Sequence, residues 1–186
     1  MSVDLATTPR RILTYQDYLQ LPEDTKRYEI IEGELYMSPA PNVRHQIIIT
    51  NLLGMIWSFL QDHPIGRIFP APTDVLLSDV DILQPDLVFL SNEKFDRLTR
   101  ANIQGAPDLV VEVFSPGTEK RDRTLKLKKY SEFGVGEYWM VSEENATLEV
   151  WRRQEDKLVF HSLLEGQQAL TTPLMPGLEI LLQKLF

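Results

Sequence analysis

APDLVVEVFSPGTEKRDRTLKLKKYSEFGVGEYW, residues Ala106 to Trp139, is the stretch whose reading decides the fold. It divides into an apolar run, a Ser-Pro-Gly turn, a basic stretch and a second apolar run, which predicts strand, turn, helix and strand. In the first run Leu109, Val110, Val111, Val113 and Phe114 leave no polar face, the pattern of a central strand covered on both sides. Glu112 interrupts that run. A carboxylate buried there alone would protonate or cost on the order of several kcal/mol, so a cation or a hydrogen-bond donor must meet it.

The next segment offers the cation. On a helix at about 100° per residue, Lys126 shares a face with Tyr130 and Phe133, the aromatic residues expected to point at the sheet. Lys120, Lys128 and Lys129 lean elsewhere and read as solvated. An inward lysine near a buried acid is either a structural ion pair or part of a catalytic site, and both readings stay open here. Glu119 to Lys129 holds six basic and two acidic residues, a local charge of +4. That helix is either a set of phosphate contacts or a solvated face.

Upstream, Thr14 with Asp17 is placed to cap a short helix that Pro22 stops. Residues 1 to 11 read as a flexible N-terminus. Arg27 to Ser38 alternates around Glu32-Gly33 and predicts a hairpin carrying Glu29 and Glu34. Asn42 or Ser38 can start a long helix, about Val43 to Asp62, with Val43, Ile47, Ile48, Leu52, Met55, Ile56, Phe59 and Leu60 at helical spacing. Trp57 inside it is expected to pack. Three strands follow at Arg67–Pro70, Asp74–Leu77 and Asp86–Leu90, then a short helix near Glu93–Leu98. After the central unit, Leu148–Arg152 and Leu158–Leu163 predict an antiparallel pair, with Trp139 and Trp151 as core and sheet residues. The order predicts an α/β (α+β) fold, a mixed β-sheet flanked by helices.

With 186 residues, 43% hydrophobic and 25% charged, the chain suits one domain spanning 1–186. The absence of Cys rules out disulfides, thiolate metal sites and a cysteine nucleophile. No run approaches the roughly 20 apolar residues of a membrane span, so the expectation is a cytoplasmic protein with no membrane partner. A net charge of −8 argues against coating nucleic acid electrostatically, so any such contact is local.

A metal-dependent phosphodiesterase needs carboxylates converging on Mg²⁺ or Mn²⁺ and a cation for the charge developing on phosphate. Asp108 cannot share a site with Glu112, because four residues along one strand separate them by about 13 Å. Asp86, at the start of another strand, can be brought beside Glu112 by sheet pairing.

These residues resemble a known family. Gln84-Pro85-Asp86-Leu87-Val88-Phe89, Gly105 to Val113, Ser115-Pro116, Asp122, Lys126, Tyr130, Gly134-Val135 and Glu137-Tyr138-Trp139 look like the Uma-two family of putative restriction endonucleases, in the PD-(D/E)XK nuclease-like superfamily. The likeness continues in Tyr28-Glu29, Gly33-Glu34, Ser38-Pro39, His45 and Ala71 to Val75, nearly the whole chain. It implies a restriction-endonuclease-like core, with Asp86 as the motif aspartate and Glu112 as the second acid. Phe114 stands where the superfamily's lysine would be. Similar families place a substitute lysine on the following helix, and Lys126 matches that position.

The resemblance implies a metal-dependent endonuclease acting on DNA, in which Asp86, Glu112 and the Val113 carbonyl hold Mg²⁺ or Mn²⁺ and Lys126 orients the attacking water or stabilises the phosphate. Glu29 or Glu34 would add an outer carboxylate, His45 would touch the site or a phosphate, and Asp74 would be a further supporting residue. Each also has a plainer reading: Glu29 and Glu34 as the solvent side of a hairpin, His45 as a helix-start surface residue, Asp74 as a strand terminator or backbone cap. The alternative for the whole chain is a non-catalytic interaction scaffold retaining a degenerate nuclease fold, with Glu112 and Lys126 as an internal pair. Double-strand cleavage would call for a homodimer, with the apolar tail Leu178–Phe186 or the edge of the last strands as its interface.

Overall fold

The computed structural model describes residues 11–22, 24, 26–38, 40–115 and 117–186. The expectation for residues 1–11 therefore falls, apart from Arg11, outside the described residues. Thr14 and Asp17 form the expected capping box at a one-turn helix, α1 (Tyr15–Tyr18). Next comes the hairpin of β1 (Arg27–Ile31) and β2 (Glu34–Ser38). Its turn, Glu32-Gly33, has positive φ at both residues, 53° and 74°, the primed turn whose twist matches paired strands. The long helix α2 spans Val43–Asp62, and the Asn42 side chain accepts the His45 amide at 2.9 Å as its N-cap.

Strands β3 (Gly66–Pro70), β4 (Val75–Ser78), β5 (Asp81–Leu83), β6 (Leu87–Ser91) and β7 (Ile103–Gln104) lead to the central strand β8 (Leu109–Phe114). The basic helix α3, residues 119–133, follows, then β9 (Glu137–Ser142), β10 (Thr147–Gln154), β11 (Lys157–Glu165), β12 (Ala169–Leu170) and β13 (Ile180–Leu181). The α+β class with mixed sheets flanked by helices is as expected. Instead of one sheet, however, there are two large ones and a small pair. A six-stranded sheet runs β11-β10-β9-β8-β6-β3, and a five-stranded one β2-β1-β5-β4-β7. The strand expected at Asp74–Leu77 thus joins the hairpin's sheet, and β5 and β7 were too short, at three and two residues, to leave a periodic signal.

β8 lies parallel to β9 and antiparallel to β6. Its six residues are all buried, and alternation sends them to two cores. Leu109, Val111 and Val113 pack with Ile48, Leu52, Ile56 and Leu60 of α2. Val110 and Phe114 pack with Tyr130 of α3 and with Ile31, Val75 and Leu83 of the smaller sheet. Glu112 shares that second face, so it looks toward α3.

Three expectations for α2 and its surroundings need correction. Val43, Ile47 and Trp57 are 75%, 47% and 57% exposed, because the helix turns Ile48, Leu52, Ile56 and Leu60 to the sheet and these three lie on the opposite side. Lys129 is buried, not solvated; its ammonium meets Glu32 at 3.0 Å and Glu132 at 3.1 Å. The apolar tail is spent in the core, where Leu178, Ile180, Leu182 and Leu185 are buried. Among the described residues no helix is long and apolar enough to cross a membrane.

Candidate active site

The antiparallel register Leu87↔Val111 ends β6 one residue after Asp86, so the pairing brings Asp86 opposite Glu112. Both acids line a cavity of about 410 Å³ whose walls also include Arg27, Glu29, His45 and Lys126. Asp86 is 2% exposed and held by three partners: Oδ1 accepts from Arg27, while Oδ2 accepts from the Val113 amide at 2.8 Å and meets His45 Nε2 at 3.1 Å. Burial alone would raise the Asp86 carboxyl, but the hydrogen bond and charge of His45 and the charge of Arg27 outweigh it and hold it below the usual range. A strand residue directs its N–H and C=O to the same edge, so the Val113 carbonyl faces the same side, where β6 has ended.

Glu112 has the opposite fate. Its Oε1 accepts from Lys126 Nζ and Tyr130 OH, each at 2.8 Å, and Oε2 accepts from none of the described residues. Burial pushes this carboxyl up, Lys126 pulls it back, and the charges of Asp122, Asp86 and Glu29 raise it again, to about 8. Lys126 is only 3% exposed, and burial alone would lower its pKa. The surrounding carboxylates win: Glu112 and Glu29 each lie 2.8 Å from Nζ and Asp122 lies 3.7 Å away, so the ammonium is raised well above its ordinary value and stays charged. Four carboxylates, Glu29, Asp86, Glu112 and Asp122, thus face three cationic side chains, Arg27, Arg121 and Lys126. Burial first, and the neighbouring carboxylates after it, raise the Glu112 carboxyl.

Helix geometry places these groups. Asp122–Lys126 is a π-helical turn within α3, flanked by α-helical Glu119–Arg121 and Leu127–Phe133. Such turns are frequent at functional sites, and here the turn holds Asp122 and Lys126 inward together. Phe114, at the missing lysine's position, is a core residue with the Arg123 guanidinium over its ring at 4.9 Å.

The candidates sort as follows. Asp86, Glu112, Val113, Lys126, Glu29 and His45 all reach the cavity, so the plainer readings of Glu29 and His45 do not hold. Glu34 does not reach it; the β1–β2 register puts it opposite Ile31 at the turn end, where it accepts from Tyr36 OH at 3.1 Å. Asp74 lies outside it too, taking Tyr18 OH at 2.7 Å and Gln84 Nε2 at 2.8 Å. Arg27, Arg121, Asp122 and Tyr130 belong to the site and were not singled out as site residues. Spacing could have found some of them: Arg27 is two residues from Glu29 on one strand, and Asp122 and Tyr130 each lie four residues from Lys126. Most of the basic helix makes a poor phosphate surface, since Arg123, Lys126, Lys128 and Lys129 all meet acidic side chains at 2.6 to 3.0 Å, while Arg121 reaches Glu29 only at 3.7 Å.

A hard divalent cation fits this donor set in kind and in charge. Carboxylate oxygens predominate, Asp122 Oδ1 is buried without a hydrogen bond, and the Glu112 carboxyl is raised by burial and by the neighbouring acids Asp122, Asp86 and Glu29. Among the described residues no three His, Asp or Glu side chains converge as a metal-holding group.

Comparison with known proteins finds similarity to a family model and to solved structures. A family model, Uma2, described as putative restriction endonuclease, matches residues 15–183. The solved structure of a putative nuclease belonging to DUF820 from Anabaena variabilis ATCC 29413 superposes with a TM-score of 0.77 at 22% identity, covering 94% of this chain and 97% of that one. No curated protein matches.

Proposed function

We propose, from the premise that this chain belongs to the Uma2 family of putative restriction endonucleases, that it hydrolyses phosphodiester bonds in DNA with the help of a divalent cation. The observation that supports this most is Lys126 Nζ lying 2.8 Å from Glu112 Oε1 in the cavity that also receives Asp86. An acid pair and a lysine are thereby joined although the lysine comes from the following helix and not from the strand.

Asp86, Glu112 and the Val113 carbonyl would hold Mg²⁺ or Mn²⁺, which supplies an acidified water and neutralises phosphate charge. The protein's own groups do the positioning. Tyr130 and Lys126 occupy one oxygen of Glu112 and leave the other for coordination. The Val113 amide and His45 fix the orientation of Asp86. Lys126, held charged and out of solvent, offers a fixed cation to the attacking water or to the phosphate, where preorganised charge is most effective. Glu29 and Asp122 keep that ammonium in place.

The scaffold reading has its own support, since Lys126 is held by Glu29 and Glu112, and Asp86 by Arg27, without a metal. Calorimetric titration of Mn²⁺, paired with plasmid nicking on the same samples, separates the two. The nuclease reading expects Mn²⁺ binding and nicking by the wild type, binding weakened in Asp86→Asn, and nicking lost in both Asp86→Asn and Lys126→Met. A folded wild type that takes up no Mn²⁺ leaves the scaffold.

A further inference from the structure

Every acceptor position of Asp86 that the described residues reach is in use, with Arg27 on Oδ1 and both His45 and Val113 on Oδ2. Oδ2 is thereby filled, and a cation drawn to the lone pair left on Oδ1 meets the Arg27 guanidinium on the same oxygen, so charge repulsion sets the two in competition. The Val113 amide is fixed in the central strand, and the His45 side chain is packed into the cavity wall, only 10% exposed. Arg27 is the free one to move: its side chain is 24% exposed, it stands at the first position of β1, and it lines both the catalytic cavity and the neighbouring cavity beside Tyr18 and Gln84. A second guanidinium waits close by. Arg27 pairs in register with Ser38, and the Ser38 hydroxyl accepts from Arg121 at 2.7 Å.

We propose that Arg27 is an exchangeable counter-cation: it occupies Asp86 in the metal-free protein, and when a divalent cation takes Asp86 it moves to the substrate's phosphate beside Arg121. The inference rests on the nuclease reading above. Metal and Arg27 compete for one carboxylate, while a guanidinium released at the cavity mouth presents a planar fork that suits a phosphate's oxygens. Metal binding thus arms the phosphate site, and the metal-free protein is left with that site closed.

Competition and phosphate binding demand effects of opposite sign from one substitution. In Arg27→Gln the Mn²⁺ dissociation constant should fall, because the competing cation is gone. The same variant should lose about ten- to a hundredfold in kcat/KM for nicking, the equivalent of one charge-assisted hydrogen bond. Arg27→Lys, which keeps the charge without the fork, should retain the wild-type Mn²⁺ affinity yet nick poorly. Mn²⁺ affinity unchanged or weakened in a folded Arg27→Gln overturns this role while leaving the nuclease reading intact, as does wild-type nicking by that variant. A wild type that binds no Mn²⁺ overturns both. Should Arg27→Gln fail to fold, Arg27→Lys nicking at the wild-type rate overturns the role.

Discussion

Glu112 is the residue on which the proposed chemistry turns, and its raised carboxyl has a measurable consequence. Its carboxyl sits near 4.5 when exposed in the unfolded chain and about 8 in the fold. The native state therefore binds this proton more tightly than the unfolded state does. The stability it contributes is complete below about 4.5, declines as pH rises, and is lost by the time pH passes the folded value near 8. Glu112→Gln keeps the neutral form at every pH, so the metal-free variant should gain on the metal-free wild type by several degrees of melting temperature between about pH 5 and pH 8.5. Thermal melts of both proteins in chelator check this, and a difference that does not change with pH would mean that Glu112 is not the group described. Adding Mn²⁺ should stabilise the wild type more as pH rises, since the cation replaces that proton.

At the scale of elements, the site depends on how α3 returns to the sheet. Gly136 joins them just before β9, the parallel neighbour of β8, and a Cβ there would stand 2.7 Å from the Asp108 carbonyl oxygen. Backbone is not free to yield at that point, because the same carbonyl accepts the Glu137 amide at 2.8 Å. Gly136→Ala should lower stability by about 1–3 kcal/mol, read by urea denaturation, as overpacking at a closed joint does. The π-helical turn shows a second dependence between elements. It lets one face of α3 present Asp122 and Lys126 to Glu112 while Tyr130, a turn further on, reaches the same carboxylate.

For the whole molecule, charge decides how it meets a polyanion. The chain carries −8, and most cations of α3 are committed to internal acids. Binding to DNA should therefore engage few phosphates, chiefly through Arg27 and Arg121, and the plot of log affinity against log salt should have a slope of magnitude about 3 or less. Fluorescence anisotropy with a labelled duplex measures it; a much steeper slope would point to an extended basic surface that the fold does not display. The two sheets also divide the work. The six-stranded sheet carries Glu112 on β8 and Asp86 immediately before β6, and the five-stranded sheet brings Arg27 and Glu29 to the same cavity.

The sequence by itself determined the features that local pattern encodes. A doubly covered β8, an α2 from Val43 to Asp62 and a β9 from Glu137 to Ser142 follow from periodicity and caps, because neighbours along the chain set them. The inward direction of Lys126 was legible for the same reason, since it shares one helix face with Tyr130. The DUF820 structure and the family model both support the fold that the motif residues suggested. Only the tertiary structure could choose between Glu29 and Glu34, which alternation along one hairpin does not distinguish. It alone brought Arg27 to Asp86 across 59 residues, buried Asp122 beside Lys126, and left Trp57 exposed on a helix that is apolar on more than one side. Those outcomes depend on which strands close into which sheet, and that choice is made by packing between segments remote in sequence.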